Sequence, residues 1–128
     1  MRHARLVYLV TAVLGAGLEA SPILAQDAES QVVQGKAIYA RRCAKCHGAD
    51  GQGKMGPSLI GAEHHLSGYG TADVLFDYTR QVMPADRPGR MQDVEYWAVL
   101  AYLLKENSLL PPGTILESAT APQIPLDP

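Results

Sequence analysis

The chain has 128 residues, 47% of them hydrophobic, and a formal net charge of −2 at pH 7. This length accommodates at most one domain, and the slightly negative charge excludes a generally basic nucleic-acid-binding protein. No internal repeat and no second domain are visible in the sequence.

Residues 1–25 have the layout of a secretory signal peptide. The start is basic, residues 6–18 are almost entirely apolar, and Pro22 breaks the helix before the small residue Ala25. An apolar run of about 13 residues is short for a membrane span, which needs about 20. We therefore predict cleavage after Ala25, export to the periplasm and no stable membrane span after processing, with an uncleaved anchor as the alternative.

The first predicted helix begins after a polar stretch at residues 27–31. Positions 32, 35, 39, 43 and 46 recur at helical spacing, so Val32, Gly35, Tyr39 and both cysteines of the chain share one face. Glycine inside a helix costs about 1 kcal/mol relative to alanine. We therefore expect another helix to cross closely at Gly35.

This helix leads into the sequence Cys43-Ala44-Lys45-Cys46-His47. Cys-x-x-Cys-His is the attachment signature of a c-type haem. The thiols of Cys43 and Cys46 can each add to one haem vinyl group, and His47 can then approach the iron from one face as the proximal ligand. We predict one covalently bound haem c.

The next segment, residues 48–70, is rich in glycine and lacks periodicity, so it is predicted to be loop. Thr71 is the expected N-cap of a short helix. Proline disfavours helical geometry in the residue before it, so Met83-Pro84 should end this helix. Its apolar face is assigned to Val74, Leu75, Tyr78 and Val82.

The last predicted helix runs from about Gln92 to Asn107. Glu95 stands where a capping box needs a carboxylate that reaches back to the amide of Gln92. The helix is apolar over most of its circumference, so it should be largely buried. We assign residues 26–109 to the domain and residues 110–128, which are punctuated by proline, to an extended tail on the surface.

The sixth position of the iron has several candidate ligands, which are Met55, His64, His65, Met83 and Met91. Met55 is only eight positions beyond His47, and Met91 is expected to pack against the last helix. Paired loop histidines are more often solvated than ligating. Met83 is far enough along the chain to reach the opposite face of the haem, so we favour Met83 over a histidine or an open site.

Over residues 31–107 the chain resembles the class I monohaem family of c-type cytochromes. The matching residues are Gly35, Tyr39, the Cys43–Gly48 motif, Gly56-Pro57-Ser58-Leu59, Met83-Pro84 and Val99–Leu103. The resemblance implies an all-α, cytochrome c-like fold with about three main helices and glycine-rich loops around one haem. It also implies that the first and last helices cross at Gly35, that the Pro57 carbonyl accepts a hydrogen bond from His47, and that Met83 is the axial methionine.

These features predict a periplasmic one-electron carrier rather than an enzyme. The proline-rich strings after Met83 and Leu110 resemble those of cytochromes that serve periplasmic dehydrogenases. The resemblance implies a sulfite or quinoprotein alcohol dehydrogenase as donor, and an oxidase or another cytochrome of a respiratory chain as acceptor. Basic residues flank the haem motif and either favour an acidic partner or are simply solvated: Arg41, Arg42, Lys45 and Lys54.

Three other functions use the same residues. A five-coordinate haem protein that binds or senses a small gas would leave the sixth position open. A thiol–disulfide oxidoreductase would use Cys43 and Cys46, but it needs a βαβ context that this strand-poor sequence lacks. A zinc site would need a fourth ligand, and the adjacent Cys46 and His47 would crowd one side of the metal.

Overall fold

A computed structural model describes residues 27–127, so the predicted signal peptide lies outside the described residues. Four α-helices follow one another along this range: α1 (Ala28–Arg42), α2 (Ala44–His47), α3 (Ala72–Val82) and α4 (Asp93–Glu106). Short 3₁₀ turns lie at Ser67–Tyr69 and Ala121–Gln123. Residues 27–127 contain one isolated β-bridge and no longer strand. The prediction of an all-α fold is confirmed, with α1, α3 and α4 as the main helices.

Helices α1 and α4 cross in direct backbone contact. The N-terminus of α1 is capped by Asp27, whose carboxylate accepts a hydrogen bond of 2.7 Å from the amide of Ser30. Hydrogen bonding from the side chain and then from the backbone amide of Ser30 lowers the pKa of Asp27. Further along α1, a Cβ built on Gly35 would overlap the carbonyl oxygen of Ala98 in α4. The close crossing expected at Gly35 is therefore present, and only glycine fits there.

Helix α3 differs in two respects from the sequence-based prediction. Thr71 is the N-cap residue, but its hydroxyl donates to the carboxylate of Asp73 (2.5 Å) and caps no backbone amide. The buried face consists of Ala72, Leu75 and Phe76, whereas Val74 and Val82 of the predicted apolar face are exposed and Tyr78 lines a cavity. The helix is turned this way because the ring of Phe76 stacks on Trp97 of α4, with centroids 3.6 Å apart.

Helix α4 forms the centre of the core, as its apolar composition predicted. The carboxylate of Glu95 accepts a hydrogen bond of 2.8 Å from the backbone amide of Gln92, so the expected capping box is present. Eight of its residues are buried: Tyr96, Ala98, Val99, Leu100, Ala101, Tyr102, Leu103 and Leu104. No helix among residues 27–127 is long and apolar enough to cross a membrane.

The C-terminal segment is extended, but it is not confined to the surface as we expected. Leu116, Ala121, Ile124 and Leu126 are all buried. The side chain of Gln31 in α1 makes two hydrogen bonds of 2.8 Å with the backbone of Leu116, one to its carbonyl oxygen and one from its amide. Apolar side chains between the exposed prolines thus complete the core beside α1.

The end of this segment is also joined to the start of α3. The amide of Ala72 donates to the carbonyl of Ile124 (3.1 Å), and the amide of Leu126 donates to the carbonyl of Gly70 (2.8 Å). These bonds surround the bridge between Thr71 and Pro125. The segment therefore helps to fix where α3 begins.

Candidate haem-binding site

A cavity of about 300 Å³ lies among α1, α2, α3, α4 and the loop between α2 and α3. Much of its wall is apolar and comes from Leu59, Leu66, Leu75, Val99, Leu100 and Leu103. In the described part of the chain, α3 packs against α4 but not against α1 or α2. The cavity therefore lies where the N-terminal helices and α3 leave space between them.

The cysteine–histidine motif forms a single turn at the wall of this cavity. The backbone amides of Cys46 and His47 both donate to the carbonyl of Cys43, at 3.1 and 3.0 Å. Cys43 and Cys46 are half-buried, His47 is buried, and all three line the cavity. The turn thus presents two thiols and one imidazole to the same space, as the spacing predicted.

The environment of Cys43 opposes thiol redox chemistry. Burial, and then the neighbouring Cys46, raise the pKa of the Cys43 thiol to about 11. Thiol–disulfide oxidoreductases need the reverse, a lowered pKa that provides thiolate. Neither the thiol chemistry nor the helical fold therefore supports the oxidoreductase alternative.

The ring of His47 is held by the loop that follows it. Its Nδ1 donates a hydrogen bond of 2.8 Å to the carbonyl oxygen of Pro57. The amides of Met55 and Gly56 donate to the carbonyl of Cys46, at 3.0 and 2.8 Å, and so bring the loop back over the ring. With Nδ1 occupied as a donor, Nε2 is the nitrogen of His47 that is left to act as a ligand.

Gly56 contacts the His47 ring closely. A Cβ built at this position would lie 2.7 Å from Cε1 and 2.9 Å from Nδ1 of the imidazole. A larger residue would have to displace the ring or the loop. The sequence predicts only that Gly56 lies in the loop of residues 48–70, and it carries no signal for this contact beyond the Gly-Pro pair.

Met83 lines the same cavity from the end of α3. As the C-cap residue, it donates its backbone amide to the carbonyl of Thr79 at 2.8 Å. Its carbonyl oxygen accepts a hydrogen bond of 2.7 Å from the hydroxyl of Tyr96 in α4. Sequence reasoning missed this role of Tyr96, because its helical position indicated only a core residue.

The other candidate ligands are less well placed. Met55 and His65 line the cavity, but both are exposed, Met55 to 69%. The Nδ1 of His65 lies 3.3 Å from both oxygens of Ser58, on the loop that holds His47. His64 accepts a hydrogen bond from the amide of Leu66, and Met91 packs against the core. The structure thus brings Cys43, Cys46, His47, Pro57 and Met83 to one cavity.

Tyrosines support the wall on both sides of the cavity. The hydroxyl of Tyr39 in α1 donates a hydrogen bond of 2.8 Å to the carbonyl oxygen of Gly48, the residue after His47. Tyr69 and Tyr78 pack together at the cavity with ring centroids 4.8 Å apart. Burial, followed by the neighbouring Tyr78, raises the pKa of Tyr69 to about 12. Tyr69 is therefore a neutral hydrogen-bonding group at neutral pH.

A metal site built only from side chains is not present in this region. Residues 27–127 contain no cluster of three or more histidine, cysteine, aspartate or glutamate side chains that could hold a metal ion. The zinc alternative therefore has no structural support within the described residues.

An all-α fold with a Cys-x-x-Cys-His turn at an apolar cavity defines a c-type cytochrome domain. The family described as "Cytochrome C oxidase, cbb3-type, subunit III" matches residues 30–103, which is more than half of the chain. The chain belongs to this family. It carries a covalently bound haem c, and its role is electron transport.

Two of the similar proteins are thiosulfate dehydrogenases. The chain is 34% identical over 80 residues to a thiosulfate dehydrogenase of Stutzerimonas stutzeri. The aligned region covers 56% of this chain and 26% of that protein. The chain is 31% identical over 92 residues to a thiosulfate dehydrogenase of Allochromatium vinosum, covering 65% of this chain and 34% of that protein. The chain therefore spans about a quarter to a third of the length of these curated relatives.

A solved structure has a similar fold. The sulfane dehydrogenase SoxCD from Paracoccus pantotrophus superimposes with a TM-score of 0.63 and 25% sequence identity. The match covers 74% of this chain and 52% of the SoxCD chain. This similarity agrees with the assignment to the c-type cytochromes.

The residues at the cavity fit a covalently held haem. The apolar wall suits the face of a macrocycle, two thiols stand at the turn, and the imidazole of His47 and the thioether of Met83 are among the groups that line the cavity. The donor set therefore agrees with the cofactor of the family.

Proposed function

We propose that this chain is a periplasmic one-electron carrier in which Cys43 and Cys46 tether the haem and His47 and Met83 are the axial ligands. When bound, the haem iron supplies the chemistry, which is the uptake and release of one electron. One observation carries the proposal: His47 from α2 and Met83 from the end of α3 line one cavity, although α2 and α3 do not pack against each other. The two side chains thus come from separate walls.

The residues around these side chains would keep the coordination constant. Pro57 and Gly56 fix the imidazole of His47, and two hydrogen bonds fix the backbone of Met83. A thioether ligand favours the reduced state and raises the potential. Burial in this largely apolar cavity would act in the same direction.

The five-coordinate alternative would need Met83 to lie away from the cavity. Instead, Met83 is half-buried and lines it. No observation among the described residues favours an open sixth position, so the electron carrier is the function that the site supports best.

We propose a dehydrogenase of inorganic sulfur compounds as the electron donor. The support comes from the names of three similar proteins, two thiosulfate dehydrogenases and one sulfane dehydrogenase. Of the two donor classes suggested by the sequence, these similarities favour the sulfur class over the quinoprotein alcohol dehydrogenases. The acceptor would be an oxidase or another cytochrome, and the signal peptide at residues 1–25 would direct export.

A basic surface beside the haem motif would guide the partner. It consists of Arg41, Arg42, Lys45 and Lys54, all of which are exposed. None of them belongs to an ion pair among residues 27–127, and Arg42 lines the cavity. Complementary charges mainly accelerate encounter, so an acidic patch on the donor would suit a small and transient redox contact.

Stopped-flow reduction of the oxidised holoprotein tests the choice of donor. A purified thiosulfate dehydrogenase with thiosulfate should reduce it quickly, with a rate that falls as the ionic strength rises. A quinoprotein alcohol dehydrogenase with its alcohol is the matched comparison and should reduce it more slowly. Equal rates, or faster reduction by the alcohol enzyme, would contradict the proposed donor class.

A further inference from the structure

The backbone of Met83 is fixed on both of its polar sides. Its amide donates to Thr79 at 2.8 Å within α3, and its carbonyl accepts the hydroxyl of Tyr96 at 2.7 Å. The first bond belongs to the helix terminus and is ordinary. The second joins the residue after α3 to a different helix, and no pattern in the sequence requires it.

Tyr96 is held independently of the cavity. Its side chain is only 1% exposed, and its ring meets the edge of Phe76 with centroids 6.3 Å apart and planes at 85°. The start of α4 is also joined to α3 by an ion pair of 2.6 Å between Arg80 and Asp93. Tyr96 is not among the residues that line the cavity. Its hydroxyl therefore connects to the cavity through Met83, which does line it.

We propose that Tyr96 is the positioning residue for the axial ligand Met83 and keeps Met83 from leaving the iron. This inference rests on the proposed function. When Met83 is in place, its partly buried carbonyl accepts a hydrogen bond from the hydroxyl of Tyr96. When the segment around Met83 moves away from the iron, water can replace that hydroxyl. Removing the hydroxyl leaves the carbonyl unsatisfied in the closed state alone, and the equilibrium shifts toward the open state.

Imidazole binding to the oxidised holoprotein measures this opening. An added ligand binds only where Met83 has left, so its apparent affinity is the intrinsic affinity multiplied by the open fraction. We expect Tyr96→Phe to bind imidazole about tenfold more tightly than the wild type. The methionine–iron charge-transfer band should weaken in proportion as imidazole is added.

Tyr102→Phe is the matched control. Tyr102 lies on the same helix and is 5% exposed, but its ring packs against Tyr39 with centroids 5.5 Å apart. The control should bind imidazole as the wild type does. An affinity of Tyr96→Phe equal to those of the wild type and the control would overturn the positioning role.

Replacing Tyr96 with 3-fluorotyrosine keeps the test informative if the phenylalanine variant fails to fold. The ring and hydroxyl are retained, and the hydroxyl becomes a stronger donor, so imidazole should bind more weakly than to the wild type. Equal or tighter binding would overturn the proposal.

Met83→Ala separates this inference from the proposed function. A wild type that already lacks the charge-transfer band, and binds imidazole as tightly as Met83→Ala, would overturn both Met83 ligation and the role of Tyr96. A band present in the wild type together with an unaffected Tyr96→Phe would overturn the role of Tyr96 alone.

Discussion

The Nδ1 of His47 donates a hydrogen bond of 2.8 Å to the carbonyl oxygen of Pro57, ten positions further along the chain. The connecting loop is closed by two further bonds from Met55 and Gly56 to the carbonyl of Cys46. The imidazole is thus oriented by the segment that follows it directly. Such a contact fixes the tautomer and the direction of a ligating histidine before the metal is bound.

Gly56→Ala tests how tightly this loop holds the ring. The new Cβ would lie 2.7 Å from Cε1 of His47, and overpacking of this kind costs about 1–3 kcal/mol. We expect the melting temperature of the holoprotein to fall by about 5–15 °C, with less haem incorporated. Gly68→Ala is the control, because a Cβ there meets nothing within 4 Å. Equal melting of both variants would contradict the proposed fit.

Gly35→Ala tests the crossing of α1 and α4. The added Cβ would overlap the carbonyl oxygen of Ala98, a backbone atom that cannot turn aside. The helices would have to separate, so we expect a loss of about 3 kcal/mol in the free energy of unfolding, despite the better helix propensity of alanine. Chemical denaturation of the holoprotein measures this, and a stability equal to that of the wild type would show that the crossing is not tight.

Gln31→Ala tests whether the C-terminal segment belongs to the core. The substitution leaves the amide and the carbonyl of Leu116 without their partner, which should cost about 2 kcal/mol of unfolding free energy. Gln34→Ala, at an exposed position of the same helix, should cost little.

Deletion of residues 110–128 should unfold the domain. An intact haem spectrum and unchanged stability after that deletion would be inconsistent with the buried packing.

The stability of the protein should fall at alkaline pH because of its buried tyrosines. Burial raises the pKa of Tyr39 to about 12 in the folded state, from an ordinary value of 10.0. Above pH 10 the unfolded chain loses this proton and the folded protein keeps it, so the stabilisation is lost as pH rises from about 10 to about 12. Denaturation midpoints at pH 9 and pH 11 measure the decline. Tyr39→Phe should reduce its slope, and an unchanged slope would assign the decline to other groups.

The sequence predicted those parts of the fold that depend on local pattern. The turn at Cys43 to His47, the tight crossing at Gly35 and the capping box at Glu95 each follow from residue types at fixed spacing. The buried face of α3 was assigned incorrectly. Val74 and Val82 are apolar, so the sequence pattern placed them on the buried face, but both are exposed. The stacking of Phe76 on Trp97 of α4, a helix further along the chain, decides which face of α3 is buried. Periodicity alone carries no information about that contact.

The supporting contacts of the site were harder to predict than its central residues. Tyr96 and Gly56 act through single contacts with Met83 and His47, made by residues 13 and 9 positions away in the chain. The C-terminal segment was assigned to the surface because prolines interrupt every helical or strand pattern in it. Its buried Leu116 and Leu126 find partners only in the folded chain, through Gln31 and Gly70.

The visible absorption spectrum of the purified mature holoprotein, oxidised and reduced, with and without carbon monoxide, tests ligation by His47 and Met83 most directly. We predict a low-spin c-type spectrum, a methionine–iron charge-transfer band in the oxidised state, and no change when carbon monoxide is added to the reduced state. A carbon monoxide adduct that forms readily would show that Met83 does not hold the sixth position. The five-coordinate, ligand-binding function would then take the place of the electron carrier.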